Sequence, residues 1–242
     1  MNIDGRWQME ISFPAPAGTS ALLVLAGVLG RAAGAHATHL GLGLDALSKH
    51  NLTWMLSRFL VRVTRTPAPG EALSVTTWPS GIAGFLALRD FLVRDQQGHE
   101  IARGTSAWFL IDLTGRRPVR PDPHIGHLCI QERVVESLER IDEPIPNEWE
   151  QAFDVRPDDI DRNNHVTFSS YIRWVETALR QTRGARGAVR EFGINYIAEV
   201  FLGETVRVEG GFQPLPDGRL LAAVVRTGDG TPAAKAVVRF GD

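Results

Sequence analysis

The 242-residue sequence predicts an α+β protein made of two copies of one unit, each a helix followed by antiparallel strands. Two observations lead to this prediction. An apolar pattern of helical period precedes a run of strand-like segments twice along the chain. The turns between these segments also recur: Gly70-Glu71 is matched by Gly203-Glu204, and Gly98 by Gly230, at nearly equal offsets. A repeat of this length indicates a duplicated fold.

The first copy begins with a helix over residues 21–40, which Ser20 is predicted to cap. Residues 1–19 are predicted to be irregular, because Pro14, Pro16 and Gly18 interrupt any pattern. The helix has one apolar face at helical spacing, formed by Leu22, Leu25, Leu29, Ala32, Ala33 and His36. Strands are then predicted at residues 52–66, 73–78, 85–94 and 99–113, the second of them stopped by Pro79-Ser80-Gly81.

Five prolines within residues 114–147 predict a linker, with a short helical segment near residues 131–139. The expected organisation is an N-terminal unit over residues 1–113, this linker, and a C-terminal unit over residues 148–242. The second copy comprises a strand at 149–155, a helix at 167–183 and strands at 193–198, 205–212, 219–227 and 233–240. The apolar face of its helix is formed by Phe168, Tyr171, Ile172, Val175 and Leu179.

The composition restricts the function classes. A net charge of −2 excludes a globally basic nucleic-acid binder, and no aromatic residues interleave with the arginine clusters. Cys129 is the one cysteine, so an internal disulfide and a Cys-rich metal site are excluded, which fits a reducing compartment such as the cytoplasm. No signal peptide is recognisable, and the apolar run at residues 21–30 is too short for membrane insertion. No metal or cofactor is expected.

The residues just before the second helix hold three side chains capable of catalysis: Asp161, Asn163 and His165. In an extended chain they would face one way, but four steps span roughly 13 Å. Either the chain curls, or a substrate lies between Asp161 and His165. Because Asp-x-Asn-Asn is also ordinary turn chemistry before a helix, a purely structural role is the competing interpretation.

Thioester cleavage suits this set of side chains. A thiol has a pKa of about 8.5, so the thiolate leaves without a strong general acid. The reaction instead needs a polarised carbonyl, an activated water and an oriented base. The helix beginning near Thr167 would direct free N–H groups and its positive dipole end toward a developing oxyanion. Asp161 and Glu199 are the candidate proton acceptors.

Several strings resemble the acyl-acyl-carrier-protein (acyl-ACP) thioesterase family of bacteria and plant plastids. In the first half these are residues 54–58 (Trp-Met-Leu-Ser-Arg), 71–81 (ending Trp-Pro-Ser-Gly) and 86–91 (Leu-Ala-Leu-Arg-Asp-Phe). In the second half they are residues 161–166 (Asp-Arg-Asn-Asn-His-Val) and 171–174 (Tyr-Ile-Arg-Trp). The resemblance covers roughly residues 20–241 and implies a double hot-dog fold. Before Ser20 the sequence departs from the family, whose first strand and polar turn are shortened here to a proline-rich stub.

The resemblance also implies roles for individual residues. The family's catalytic Asp, Asn and His fall on Asp161, Asn163 and His165, and its catalytic Glu falls on Glu199. Plant members carry a cysteine after that Glu, where this sequence has Val200, so a Cys-His mechanism is excluded at this position. Water activated by Glu199 or Asp161 is favoured, and attack by a carboxylate to give an acyl-enzyme anhydride stays open.

The implied function is release of free fatty acid from acyl-ACP in fatty acid biosynthesis, without a cofactor. The first half has Pro14 to Thr19 where the catalytic loop would stand, so one active site per chain is expected and the first half is expected to hold the acyl chain. The alternatives are an acyl-CoA thioesterase and a non-catalytic acyl-binding hot-dog protein. Acyl chain length and branching are not predicted, and a homodimer stays open because hot-dog sheets often pair.

Acyl carrier protein, the partner that the resemblance implies, is acidic, so a basic docking surface is expected. Four arginines cluster at the end of the second helix and just beyond it: Arg180, Arg183, Arg186 and Arg190. They could steer an acidic partner. Cations at a helix C-terminus are also favourable on their own account, so a solvated helix end is the alternative.

Overall fold

The computed structural model describes residues 2–14, 20–135, 139–161, 164–182 and 184–241, with only the backbone described for Asn2 and Ile3. The chain folds as two units, Met1–Leu138 and Glu139–Asp242. The division falls inside the stretch 114–147 that is predicted as a linker. The exact limits of that linker stay a prediction.

The described part of the first unit contains one antiparallel sheet. Its strands are β1 (Asn2–Ile3), β2 (Arg6–Ser12), β3 (Leu52–Val63), β4 (Ala72–Ala83), β5 (Leu86–Asp95), β6 (Glu100–Asp112) and β7 (Arg117–Val119). The spatial order is β1-β2-β4-β5-β6-β3, and β7 pairs with β6. The four strands predicted between residues 52 and 113 are all present, so alternation and turn residues located them correctly.

Two strand predictions in this unit are wrong. Residues 2–12, predicted to be irregular, contain β1 and β2. Strand β2 pairs with β4 from Trp7 opposite Thr77 to Ser12 opposite Ala72. The first strand is therefore not reduced to a proline-rich stub. Strand β4 also continues through Pro79 instead of stopping there, because a bulge between Pro79 and Gly81 accommodates the residue that cannot donate to the ladder.

One long helix packs on this sheet. Helix α1 (Ala21–His39) begins where predicted, with the Ser20 hydroxyl accepting a hydrogen bond from the Leu23 N–H at 3.1 Å. Helix α2 (Leu44–Ser48) follows it. All six residues of the predicted apolar face are buried, and α1 contacts β2 and β4. The helix is thus held by apolar burial on one side of the sheet.

Helix α1 is also apolar enough, with a mean hydropathy of 1.4 over 18 residues, to cross a membrane by length and composition alone. The core helix of a soluble protein satisfies the same criterion, and eight residues of α1 are buried within its unit. This is weak support for a membrane span, and the expectation of no membrane insertion stays a prediction.

The chain after β7 is held to the sheet by a buried carboxylate, that of Asp90. This part of the chain forms a short helix, α3 (Asp122–Ile125). Residues 131–135 are irregular, so the prediction of a helix near residues 131–139 is wrong for these residues. Residues 136–138 lie outside the described residues. The buried Asp90 carboxylate accepts hydrogen bonds from the Val134 N–H at 2.7 Å and from Arg133 Nε at 3.2 Å. Ser80 and Thr105 donate to the same carboxylate, at 2.9 and 2.7 Å.

The second unit repeats the plan with one helix and five described strands. These are β8 (Trp149–Asp154), α4 (Phe168–Thr182), β9 (Val189–Tyr196), β10 (Thr205–Gly210), β11 (Leu220–Arg226) and β12 (Pro232–Phe240). The antiparallel order is β9-β12-β11-β10-β8. Helix α4 contacts β8, β10 and β11. On the predicted apolar face of α4, Phe168 is half-buried and the other four residues are buried. Trp174, which was not assigned to that face, is fully buried as well.

The predicted duplication is visible in the backbone. Gly70 and Gly203 both have a left-handed φ, of 78° and 87°. Each is followed by a glutamate whose carboxylate accepts the N–H of the residue three positions earlier: Glu71 from Ala68 and Glu204 from Phe201, both at 2.8 Å. The two copies therefore keep the same turn and the same side-chain support for it.

We expect Asp90→Asn to lower the free energy of unfolding by about 3 kcal/mol, because an amide cannot accept all four donors and leaves Arg133 without a counter-charge. Urea unfolding measures the change. Asp45→Asn, at an exposed position of α2, is the matched control and should stay within about 0.5 kcal/mol of the parent protein. Equal stability of the two variants would contradict the anchoring role of Asp90.

Candidate active site

The loop before α4 is a tight turn. The Asp161 N–H donates to the His165 carbonyl at 2.8 Å, and the Asn164 N–H donates to the Asp161 carbonyl at 3.1 Å. Asn164 adopts a left-handed φ of 61°, and Ile160 pairs with Val166 across the base of the turn. The extended arrangement of this segment is therefore wrong, and the curled alternative is confirmed.

The Asp161 side chain stabilises this turn. Its Oδ1 accepts a hydrogen bond from the His165 backbone N–H at 3.2 Å. The contact fixes the main chain of His165, four residues further on, rather than its imidazole. Arg162 and Asn163 lie outside the described residues, so the predicted role of Asn163 stays a prediction.

His165 and Glu199 meet in the second unit. Their Nε2 and Oε1 atoms are 3.5 Å apart. Both side chains are about one-third exposed, at 35% and 37%, so a substrate and a water molecule can reach them. The ring of Phe201 contacts the imidazole edge-on, with the centroids 5.3 Å apart. The sequence signal that places Glu199 beside the histidine is the family resemblance, because 34 residues separate the two.

Backbone hydrogen bonds connect the loops that carry this pair. The Val166 N–H donates to the Val200 carbonyl at 3.0 Å, which ties the residue after His165 to the residue after Glu199. Val200 itself is fully buried. Arg226 donates to the Glu199 carbonyl at 3.4 Å. The separation of His165 and Glu199 is therefore set by main-chain geometry and not by flexible side chains alone.

Two tyrosines, the buried Tyr171 and the half-buried Tyr196, pack against each other beside the site. The Tyr171 hydroxyl donates to the Ala198 carbonyl at 3.4 Å, and the Tyr196 hydroxyl donates to the Phe168 carbonyl at 3.1 Å. Their rings pack edge-to-face, with centroids 5.4 Å apart. Burial, and next the negative charge of Glu199, raise the pKa of Tyr171 well above its usual value. Both phenols are neutral, which supports the predicted packing role of Tyr171.

Sequence reasoning missed Asp159. This buried carboxylate accepts the Ser170 hydroxyl at 2.6 Å and the Arg156 N–H at 3.0 Å, and it forms an ion pair with Arg173. Burial acts to raise the pKa of Asp159, but these hydrogen bonds and the Arg173 charge outweigh it, so the net pKa is lowered. The available signal was an acidic residue ahead of a helix, and its partners are 11 and 14 residues away.

The same carboxylate changes the electrostatics of the helix end. Negative charge at a helix N-terminus offsets the positive end of the dipole. Asp159 lies beside the first turn of α4, and its backbone carbonyl accepts the Thr167 N–H at 2.7 Å. An oxyanion role for this helix end stays a prediction, and such an oxyanion would share the dipole with Asp159.

The described arginines at the end of α4 and beyond it differ in their surroundings. Arg180 donates to the buried Glu176 at 2.8 Å and to the Gly187 carbonyl at 3.2 Å, and it lies over the Phe240 ring. Arg186 is exposed and Arg190 is half-buried, while Arg183 lies outside the described residues. Of the three described docking candidates, Arg186 is thus the one whose side chain is most available to a partner. In the described part of the chain, no group of three or more metal-ligating side chains is present.

Family models match most of the chain. The acyl-ACP thioesterase N-terminal domain matches residues 6–127, and the acyl-ACP thioesterase C-terminal domain matches residues 142–230. The chain belongs to the acyl-ACP thioesterase family. The match from residue 6 agrees with strand β2, and the second match contains the two loops that carry His165 and Glu199.

The matches to curated members of the family cover only part of each protein. A chloroplastic dodecanoyl-[acyl-carrier-protein] hydrolase from Umbellularia californica is 26% identical over 163 residues, which cover 63% of this chain and 43% of that protein. A chloroplastic palmitoyl-acyl carrier protein thioesterase from Arabidopsis thaliana is 31% identical over 139 residues, which cover 52% and 33%. The matched segments thus span less than half of these relatives.

Solved structures share the fold. An acyl-ACP thioesterase from Bacteroides thetaiotaomicron superposes with a TM-score of 0.85 at 23% identity and covers 98% of both chains. A 12:0-ACP thioesterase from Umbellularia californica gives 0.84 at 21% identity over 98% of this chain and 97% of that one. The predicted double hot-dog fold is confirmed.

We expect Asp159→Asn to lower the free energy of unfolding by about 2 kcal/mol at pH 7, because Ser170 and Arg173 lose a charged acceptor. The folded-state pKa is below the unfolded value of about 3.9, so the stabilisation is present above that pH and is lost as the pH falls through the folded pKa. The difference between parent and variant should therefore shrink below about pH 3.9 in urea unfolding experiments.

The neighbouring exposed residue provides the control for this experiment. Asp158→Asn removes the same charge from the adjacent position and should change stability by less than about 0.5 kcal/mol. A loss of the same size from Asp158→Asn would show that net charge, and not the buried contacts of Asp159, sets the effect.

Proposed function

We propose that this protein is a thioester hydrolase that releases free fatty acid from acyl-ACP in fatty acid biosynthesis. The observation that carries the proposal is the His165–Glu199 pair, a base and an imidazole at 3.5 Å on partly exposed loops of a chain in this family. The proteins it resembles are named as hydrolases of dodecanoyl- and palmitoyl-ACP. The cytoplasm is the proposed compartment, in keeping with a free Cys129.

The proposed reaction is attack of water on the thioester carbonyl. Glu199 accepts a proton from the water as its oxygen bonds to the carbonyl carbon, and His165 orients the water and stabilises the developing charge. Collapse of the tetrahedral intermediate breaks the carbon–sulfur bond. The thiolate leaves, and the proton held by Glu199 returns to the sulfur, so the site regains its starting state with fatty acid and thiol as products.

Asp161 and Asn163 complete the proposed set. Because the Asp161 carboxylate is hydrogen-bonded to the His165 backbone, we assign it to holding the turn, and Glu199 becomes the favoured base. Asn163 lies midway between Asp161 and His165 in the sequence and is proposed to bind the carbonyl oxygen of the thioester. The first unit is proposed to hold the acyl chain.

We expect Glu199→Gln to lower kcat/KM by at least about 100-fold, since an amide cannot accept the proton, and His165→Ala to cause a comparable loss. Thiol release from acyl-ACP, followed with a thiol-reactive dye, measures the rate. Glu150→Gln, a carboxylate of the same unit that is about three-fifths exposed, is the control and should retain the parent rate. Full rates in both site variants with unchanged circular dichroism would rule out this assignment.

We expect kcat/KM for acyl-ACP to exceed that for the acyl-CoA of the same chain length, by about tenfold, because a basic surface attracts an acidic carrier. Arg186→Glu should raise KM for acyl-ACP and leave acyl-CoA hydrolysis unchanged, whereas Arg239→Glu, at an exposed position of β12, should affect neither. Equal rates with both carriers would favour an acyl-CoA thioesterase. No release from any substrate would favour a non-catalytic acyl-binding protein.

A further inference from the structure

The imidazole of His165 has few polar contacts that hold its orientation. Its Nε2 atom lies 3.5 Å from Glu199 Oε1. That distance is longer than the usual N–H···O hydrogen bond of about 2.7–3.2 Å. Among the described residues, no other group forms a hydrogen bond with the ring, because Asp161 contacts only the His165 backbone. The ring orientation must therefore depend on a contact of another kind.

The ring of Phe201 provides that contact. It lies against the imidazole with the centroids 5.3 Å apart and the two planes at 70°. This is the edge-to-face arrangement that aromatic pairs prefer, so it depends on the relative orientation of the two rings as well as on their distance. Rotation of the His165 side chain would break the contact. The Phe201 ring thus restricts the orientations in which His165 Nε2 points toward Glu199.

The backbone on both sides of the Phe201 ring is fixed. The Phe201 N–H donates to the Glu204 carboxylate at 2.8 Å, and the Phe201 carbonyl accepts the Glu204 N–H at 3.2 Å. The preceding residue, Val200, is fully buried, and its carbonyl accepts the Val166 N–H at 3.0 Å. Because the main chain at this point is held in three places, the Phe201 ring can act as a fixed surface for its neighbour.

The first unit shows that this turn does not require an aromatic residue. Ala68 occupies the place of Phe201 in the duplicated turn, since each donates its N–H at 2.8 Å to the glutamate three positions later. Each turn also has a left-handed glycine, Gly70 or Gly203. The Asp-x-Asn-x-His string is found in the second half alone. The phenyl group is thus present in the copy that has His165, and the turn itself forms without it.

We propose that Phe201 is a positioning residue for His165. The inference rests on the proposed function, in which Glu199 accepts a proton from the same water molecule that His165 orients. Both side chains must then face one point, and the Phe201 ring keeps the imidazole turned toward it. The ring is 39% exposed and offers no proton donor or acceptor, so it acts through His165 and not on the thioester itself. Loss of such alignment lowers the rate of the chemical step and leaves substrate binding intact.

Kinetics of thiol release from acyl-ACP provide the first test. Phe201→Ala introduces the residue that the first copy has in this turn, and it is expected to lower kcat about tenfold while KM changes less than about twofold. Phe201→Tyr keeps the ring and should restore about half or more of the parent kcat. Phe201→Leu keeps apolar bulk without a ring and should behave like the alanine variant. Full kcat in Phe201→Ala or in Phe201→Leu overturns the proposal.

A second exposed ring of the same unit provides the matched control. Phe212 is 48% exposed, and Phe212→Ala should retain the parent kcat. An equal loss of kcat in Phe212→Ala and Phe201→Ala would show a general effect of removing an exposed ring and would overturn the assignment. If Phe201→Ala does not fold, the comparison of Phe201→Leu with Phe201→Tyr decides the same question.

NMR of the whole chain labelled with ¹³C and ¹⁵N tests the positioning without any substrate. Three-bond couplings of the His165 side chain report its χ1 rotamers. One rotamer is expected in the parent protein and in Phe201→Tyr, and averaged couplings are expected in Phe201→Ala. The same couplings in the parent protein and in Phe201→Ala overturn the proposal. If the parent protein releases no thiol from any thioester, the proposed function fails, whereas these couplings still decide whether Phe201 orients His165.

Discussion

Each unit depends on burying one helix against one antiparallel sheet. In α1 the buried face is apolar apart from His36, whereas α4 carries Tyr171, Ser170 and Glu176 inside as well. Polar groups admitted to such an interior must find partners, because an unmade hydrogen bond costs more there than a made one contributes. The carboxylates of Asp159 and Asp90 satisfy this condition, because each accepts hydrogen bonds from several donors. The burial that holds each helix on its sheet thus also determines which polar contacts tie a neighbouring segment to the interior.

The strands from residue 52 onward and the two long helices, α1 and α4, were predictable because their signals are local. Apolar residues alternate or recur at helical spacing, and left-handed glycines mark the turns. Strand β2 was missed because Pro14 and Pro16 outweighed a short alternating segment. What stabilises that segment is pairing with residues of β4 that lie 60 to 70 positions away in the chain. Strand β4 was cut short at Pro79 because a bulge cannot be recognised from a Pro-Ser-Gly string alone.

The sequence predicts which residues form the site but not their geometry, and their catalytic roles stay predictions. The resemblance names Asp161, His165 and Glu199, whereas the turn is shown by the backbone hydrogen bonds of Asp161 and Asn164 and by the positive φ of Asn164. That turn brings the Asp161 carboxylate to the His165 backbone N–H, and the predicted role of Asp161 in the reaction stays a prediction. Asp159 was missed because its partners Ser170 and Arg173 lie beyond the turn. The duplicated halves likewise retain the glutamate that supports a turn, Glu71 or Glu204, although the catalytic string is found in the second half alone.

The Asp90 anchor also has a consequence for the order of folding. Its carboxylate is surrounded by donors from β4 and β6, and it lies on β5 itself, so the pocket exists only after three strands have paired. The segment around Arg133 and Val134 must then close a loop of more than forty residues to reach it. Docking of this segment is therefore a late step of folding. In the native state the same segment should open before the sheet does, as a unit of lower local stability whose release leaves the strands intact.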